Sequence, residues 1–327
     1  MKSGLIESGL KYMKHSVAIF SADGIGDAIL LQVIALLAKK QSSDAILFHP
    51  QHAALQSLFP DFNLEQVPSK NILNNCLETF DQIFVQNDHG NIAFAMDKLR
   101  RNHPNGDKVI FIHPKDSKLE REGDIAFSKN IPFATNLINK IAPFFPNTHF
   151  SKTMLRQNFK TSNHRQHLKN VAIHPTSQDK ARNWPPIKFI QLKHILESRG
   201  FHPYFIVHKD ERKTWLNFGL KESELPLFPD LKCVGDKLHQ TGYFIGNDSG
   251  IGHLASMLAV PSLTISNNKK RVVMWRPDFC KNRIITPSLL LPNFKGIGLP
   301  LRQWGWHYFV SVAQVERIFN QLVEDTP

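Results

Sequence analysis

A chain of 327 residues with 42% hydrophobic side chains is long enough for two ordinary cores and too apolar for wholesale disorder. No apolar run approaches the ~20 residues that cross a bilayer, and Cys76, Cys233 and Cys280 stand far apart without a Cys-x-x-Cys pair. That spacing suggests neither a disulfide framework nor a zinc ribbon and suits a reducing cytoplasm. The net charge of +12 predicts an anionic partner, but the basic residues are dispersed in short clusters such as Lys98, Arg100, Arg101 and Lys269, Lys270, Arg271. No nucleic-acid-binding signature accompanies them, so nucleic acid is not the expected partner. The sixteen histidines form no His-Glu-x-x-His, and the spacings His49 to His52 and His164 to His167 fall in polar, loop-like stretches, so no metal site is expected.

Residues Met1 to Ser16 lack the continuous apolar core of a signal peptide and read as a short lead-in. Val17–Phe20 is a buried strand ended by Ser21-Ala22-Asp23-Gly24, and the apolar spacing from Asp27 to Lys40 predicts a helix. A strand follows at Ala45–Phe48, then a helix at Gln51–Leu58 stopped by Pro60. Strands at Gln82–Val85 and Val109–Ile112 flank a helix near Ile92–Arg101. Pro146–Asn170, polar and aperiodic, reads as a linker, which divides the chain into residues 1–155 and 156–327. The second series runs Val171–Ile173 strand, Ile187–Arg199 helix, Tyr204–Val207 strand and Glu211–Phe218 helix. Strands at Leu231–Val234, Tyr243–Ile245 and Ser262–Ile265 come next, with a helix from about Ile251 to Leu258 before the last. An amphipathic helix, Val312–Val323, ends the chain and is free to pack back on the first half. Alternating strands and helices argue for an α/β fold of two Rossmann-like halves with parallel sheets. Ligands gather beyond the carboxyl ends of such strands.

Three loops at those ends carry chemistry-bearing residues. In Asp23-Gly24-Ile25-Gly26-Asp27 the third glycine of a dinucleotide fingerprint is replaced by Ile29, so a nicotinamide cofactor is not expected. Asp27 there is either a helix cap or a carboxylate base facing the cleft. The loop from His174 to Pro185 combines Thr176 and Ser177 with Lys180 and Arg182, groups able to hold a diphosphate. In Gly246-Asn247-Asp248-Ser249-Gly250-Ile251-Gly252-His253 a strand gives way to a helix whose free N–H groups make an anion seat. Gly250 and Gly252 permit close approach there, and Ser249 adds a hydroxyl. Asp248 would repel a phosphate and is expected to order backbone N–H groups instead. His253 would either donate to the phosphate or fill a gap.

This third loop, from Phe244 to Ala255, resembles the signature of glycosyltransferase family 9, the heptosyltransferases. Gly26-Asp27 with the apolar run Ala28-Ile29-Leu30-Leu31 resembles the family's N-terminal motif. His174-Pro175-Thr176 through Trp184-Pro185 resembles its donor loop, and Trp275-Arg276-Pro277 also suits it. The resemblance implies a GT-B fold, two facing Rossmann-like domains with the acceptor held by the first and the nucleotide sugar by the second. It implies inversion at the anomeric carbon without a metal or other cofactor. By position, Asp27 is implied as catalytic base beside Gly24 and Gly26. Thr176, Arg182 (with Lys180 as substitute), Glu211, Asp248, Ser249, Gly250, Gly252 and His253 are implied as donor ligands.

The implied donor is ADP-heptose, and the implied acceptor is a lipopolysaccharide core or a related anionic glycolipid. The enzyme is expected in the cytoplasm, with peripheral contact to the inner membrane. The chain departs from the family pattern at Phe20-Ser21-Ala22-Asp23, at Gln32 in place of a proline, at Arg182 in place of the usual lysine, and at Ser266-Asn267. A GT-B nucleotide-sugar epimerase and a catalytically inactive glycolipid-binding protein are the alternatives.

Overall fold

A computed structural model describes residues 15–113, 121–156, 159, 161–287 and 305–326. Most of the N-terminal lead-in and residues 157, 158 and 160 of the expected linker lie outside them. The first half runs β1 (Ser16–Phe20), α1 (Ile25–Lys40), β2 (Asp44–Phe48), α2 (His52–Leu58), β3 (Asn63–Glu65), α3 (Leu73–Thr79) and β4 (Gln82–Gln86). It continues with α4 (Asn91–Asn102), β5 (Val109–His113), β6 (Ile125–Ala126) and α5 (Phe133–Ile141). The second half runs β7 (His167–His174), α6 (Pro186–Ser198), β8 (His202–Phe205), α7 (Arg212–Asn217), α8 (Leu231–His239), β9 (Thr241–Asn247) and α9 (Gly250–Met257). It ends with β10 (Ser262–Ile265), α10 (Lys269–Trp275), β11 (Asn282–Ile285) and α11 (Val312–Glu324).

Two parallel sheets result, ordered β3-β2-β1-β4-β5-β6 and β11-β10-β9-β7-β8. Side chains along each central strand alternate between two cores, as the period-two pleat requires. Val17 and Ile19 of β1 face one side with α1, while Ala18 and Phe20 face the other with α3 and α4. In the second sheet Val171 and Ile173 face α6, whereas Ala172 faces α9. The α1 and α9 sides merge into one apolar mass, so the two halves share a core.

The halves meet through helix ends. A Cβ on Gly26 would lie 2.8 Å from the His253 ring, and one on Gly250 would lie 3.0 Å from the Gly26 nitrogen. Only glycine lets α1 and α9 cross this closely. Phe133 packs at a tilt against Trp275 with centroids 5.1 Å apart, and the Thr135 hydroxyl donates to Asp278, tying α5 to the loop after α10.

Several expectations change. Leu231–Val234 begins a helix instead of a strand. Asp230 accepts from the Cys233 N–H at 2.8 Å, and Leu231, Val234 and Leu238 bury one face at helical spacing. β7 begins at His167, inside the stretch read as linker, because its first residues are an exposed extension of a strand whose apolar part starts at Val171. The strands β3, β6 and β11 and the helices α3 and α5 carry too short a signal to be predicted. Helix α11 packs on its own half: Val315, Phe319 and Leu322 join the core of α6, β9 and β10, not the first half.

Candidate active site

In both sheets the strand order reverses beside the first strand of the half. β1 and β4 are neighbours whose following helices leave to opposite faces, and so are β7 and β9. A crevice opens at such a switch point. Here the two crevices face each other and form one cleft of ≈ 950 Å³, walled by residues 23–27 from the first half and by 174–178, 180, 182–186, 248–251 and 253 from the second.

The first wall is the turn from β1 into α1. The helix begins at Ile25, two residues earlier than expected, which places Asp27 third in it. Gly24 occupies the cap position and no side chain caps the helix there, so Asp27 is not the N-cap. Its carboxylate folds back over Gly24, where a Cβ would stand 2.5 Å from Asp27 Oδ2. Behind it, Gln86 Nε2 donates to Asp27 Oδ1 at 2.5 Å. Burial pushes the Asp27 pKa up to about 6; Asp88 adds to the rise, and Gln86 and Arg271 oppose it. His49 is buried beneath this turn. Its Nδ1 accepts the Gln51 N–H at 2.9 Å, so Nε2 carries the proton, and burial lowers its pKa.

The second wall is two loops clasped by one buried amide. Asn247 Oδ1 accepts the Trp184 N–H at 3.1 Å, and its Nδ2 donates to the Pro175 carbonyl at 2.6 Å. Asn247→Ala would leave two buried backbone groups unpaired and is expected to cost about 2–4 kcal/mol, read as a lower urea midpoint. Thr176 donates to Glu211 Oε2 at 3.1 Å, which also accepts the His208 N–H. His174 Nδ1 faces the Ile206 carbonyl at 2.7 Å; since a carbonyl only accepts, Nδ1 is protonated and Nε2 keeps its lone pair.

Asp248 departs from the expected role. Its Oδ2 accepts from Arg271 Nε at 3.1 Å and lies 3.7 Å from Arg182 Nη1, so it gathers two guanidiniums. Burial and the neighbouring Arg271 pull the Arg182 pKa down. Lys180 is exposed at the rim. Ser249, at the cap position of α9, makes no side-chain bond to the helix, and its buried Oγ has no partner within the protein. His253 lies a full turn into α9, and burial lowers its pKa. It fills the gap against Gly26 while its Nδ1, also unpartnered, belongs to a ring on the cleft wall.

Gly252 turns away from the cleft. A Cβ there would meet Pro277 at 3.4 Å and Phe244 at 3.6 Å. The structure therefore brings together Gly24, Gly26, Asp27, Thr176, Lys180, Arg182, Glu211, Asp248, Ser249, Gly250 and His253 in one cleft. Gln86, Asn247 and Arg271 are added to the expected set. A basic cluster flagged Arg271 in the sequence, but nothing there pointed it at Asp248.

No curated protein sequence matches the chain. Residues 134–277 match the family Glycosyltransferase family 9 (heptosyltransferase), a stretch that holds both cleft loops of the second half and excludes Asp27. The fold is similar to that of E. coli ADP-heptose lps heptosyltransferase II, with a TM-score of 0.62 at 15% identity over 96% of this chain and 99% of that one. The family 9 glycosyl transferase from Veillonella parvula DSM 2008 gives 0.61 at 13% identity over 97% and 100%. E. coli heptosyltransferase WaaC with ADP gives 0.60 at 12% identity over 94% and 99%. The match over residues 134–277 and the shared GT-B fold make the chain a glycosyltransferase that is similar, over that stretch, to family 9 (heptosyltransferase).

Proposed function

We propose that this protein is an inverting, metal-independent transferase that moves heptose from ADP-heptose onto a lipopolysaccharide core or a related surface glycolipid. One observation carries the reading: a single cleft holds a carboxylate from the first half opposite paired guanidiniums and a helix start from the second. The donor is assigned to the second half. Its diphosphate sits at the start of α9, with Ser249 Oγ, the N–H groups of the first turn and Arg182 as ligands. Arg271 and Lys180 add positive charge, and Glu211 with Thr176 faces the ribose. ADP-heptose is chosen because similar structures are described with ADP and with ADP-2-deoxy-2-fluoro heptose.

In the reaction the acceptor hydroxyl oxygen forms a bond to the anomeric carbon from the face opposite the diphosphate. Asp27 takes the hydroxyl proton. The bond from the anomeric carbon to the diphosphate oxygen breaks, and its electron pair leaves on the nucleoside diphosphate. A base with a pKa of about 6 is ionised at pH 7 and basic enough to accept that proton, an effect of about 10²–10⁴-fold. The guanidiniums and the α9 N–H groups stand ready for charge developing on the leaving group, which supplies the electrostatic share of catalysis without a divalent cation. The net charge of +12 suits docking at the anionic inner face of the cytoplasmic membrane. No helix among the described residues is long and apolar enough to span it.

The test is transfer from a panel of nucleotide sugars to heptose-deficient lipopolysaccharide. Glycoside formation is expected, with ADP-heptose preferred. Conversion of the donor alone into an isomer would instead indicate the epimerase. Nucleoside diphosphates that leave the melting temperature unchanged would indicate an inactive scaffold.

A further inference from the structure

Gln86 closes β4 and Asp27 lies in the first turn of α1, so the two meet at the switch point of the first sheet, where β1 and β4 run side by side. The Gln86 side chain is buried behind Asp27 and is not part of the cleft wall. Its two ends are told apart by their neighbours. The Ala22 N–H donates to Oε1 at 3.3 Å, which turns the NH₂ end onto Asp27 Oδ1 at 2.5 Å. An amide NH₂ only donates, and a donor on a carboxylate favours the ionised form.

We infer that Gln86 is the positioning residue of the Asp27 base, holding the carboxylate in one orientation and keeping it ionised near neutral pH. The inference rests on the reading of Asp27 as base. Among the described residues, the other charged and titratable groups around Asp27 are Asp23 in its own loop, His49 beneath that loop, Asp88 after β4, Arg271 on α10, and Asp248 and His253 across the cleft. Of these, Asp88 opposes ionisation and Arg271 favours it. Gln86 supplies the direct hydrogen bond. It also anchors the carboxylate to the same Ala22 turn that carries α1.

Two variants separate positioning from space-filling. Gln86→Leu removes the donor at similar volume, while Gln86→Glu keeps the shape and an acceptor for Ala22 but replaces the amide with an acid. The acidic limb of the kcat/KM profile is expected to move up by about one pH unit in Gln86→Leu and at least as far in Gln86→Glu. Below the limb this is a loss of about tenfold relative to the alkaline plateau, with donor KM within about twofold. A carbon-13 NMR titration of the Asp27 carboxyl, assigned with Asp27→Asn, reads the same shift whether or not the variants are active. An unmoved Asp27 titration, or a pH-independent loss of rate with an unmoved limb, overturns the inference. Transfer that survives Asp27→Asn overturns the base reading instead, and the titration still decides whether Gln86 sets this carboxylate.

Discussion

Asp27→Asn is expected to lower kcat for sugar transfer by about 10²–10⁴-fold while leaving nucleoside diphosphate affinity unchanged. The amide keeps the size of the side chain but has no lone pair basic enough to take the acceptor proton. The groups proposed to bind the donor are carried by the second half, and of these Arg271 acts on Asp27 through its charge. The same change should stabilise the protein at alkaline pH. Asp27 has a folded pKa raised to about 6 from an ordinary 3.8, so it binds its proton more tightly in the folded chain than in the unfolded one. Its ionisation therefore opposes folding, by on the order of 2–3 kcal/mol above pH 6, and the penalty vanishes as pH falls toward 4. Urea midpoints of wild type and Asp27→Asn should differ at pH 8 and converge near pH 4. A variant that is inactive but no more stable at pH 8 would show that the carboxylate is not held in a desolvated state.

Arg182→Ala is expected to weaken ADP binding by about 10–100-fold, the worth of a charge-assisted hydrogen bond to a phosphate. Arg271→Ala should cost less, since its side chain is more exposed than that of Arg182. The two losses should not add, because both guanidiniums share Asp248 Oδ2 and each repels the other. Isothermal titration of the single and double variants checks this. Equal, additive losses would mean that the two arginines contact the nucleotide independently. Arg182→Lys should recover only part of the affinity, because a lysine ammonium does not reproduce the planar guanidinium fork.

The alternation of strands and helices was legible because each central strand carries a compact apolar run and each long helix an apolar stripe. Segments such as Asn63–Glu65 and Ile125–Ala126 are too short to show a period, and they become strands only by pairing with β2 and β5. The helix at Leu231 was hidden because its first four residues have the apolar content of a short strand; Asp230 as cap decides otherwise. The site was legible through its loops, whose glycines and hydroxyls follow apolar strands. What could not be read was partnership across distance. Gln86 lies 59 residues from Asp27, and Asn247 lies 63 from Trp184, yet each pair is joined by a hydrogen bond. Asp248 looked like a carboxylate too close to a phosphate until the fold set Arg182 and Arg271 around it.

The central claim is that a nucleoside diphosphate seats at the start of α9 with Asp27 facing it across one cleft. A crystal structure of the protein soaked with ADP tests it most directly. The diphosphate is predicted within hydrogen-bonding distance of Ser249 Oγ, the Gly250 N–H and Arg182, with the Asp27 carboxylate on the open side of its terminal phosphate. ADP bound outside that cleft, or seated there with Asp27 screened from the terminal phosphate by intervening chain, would contradict it.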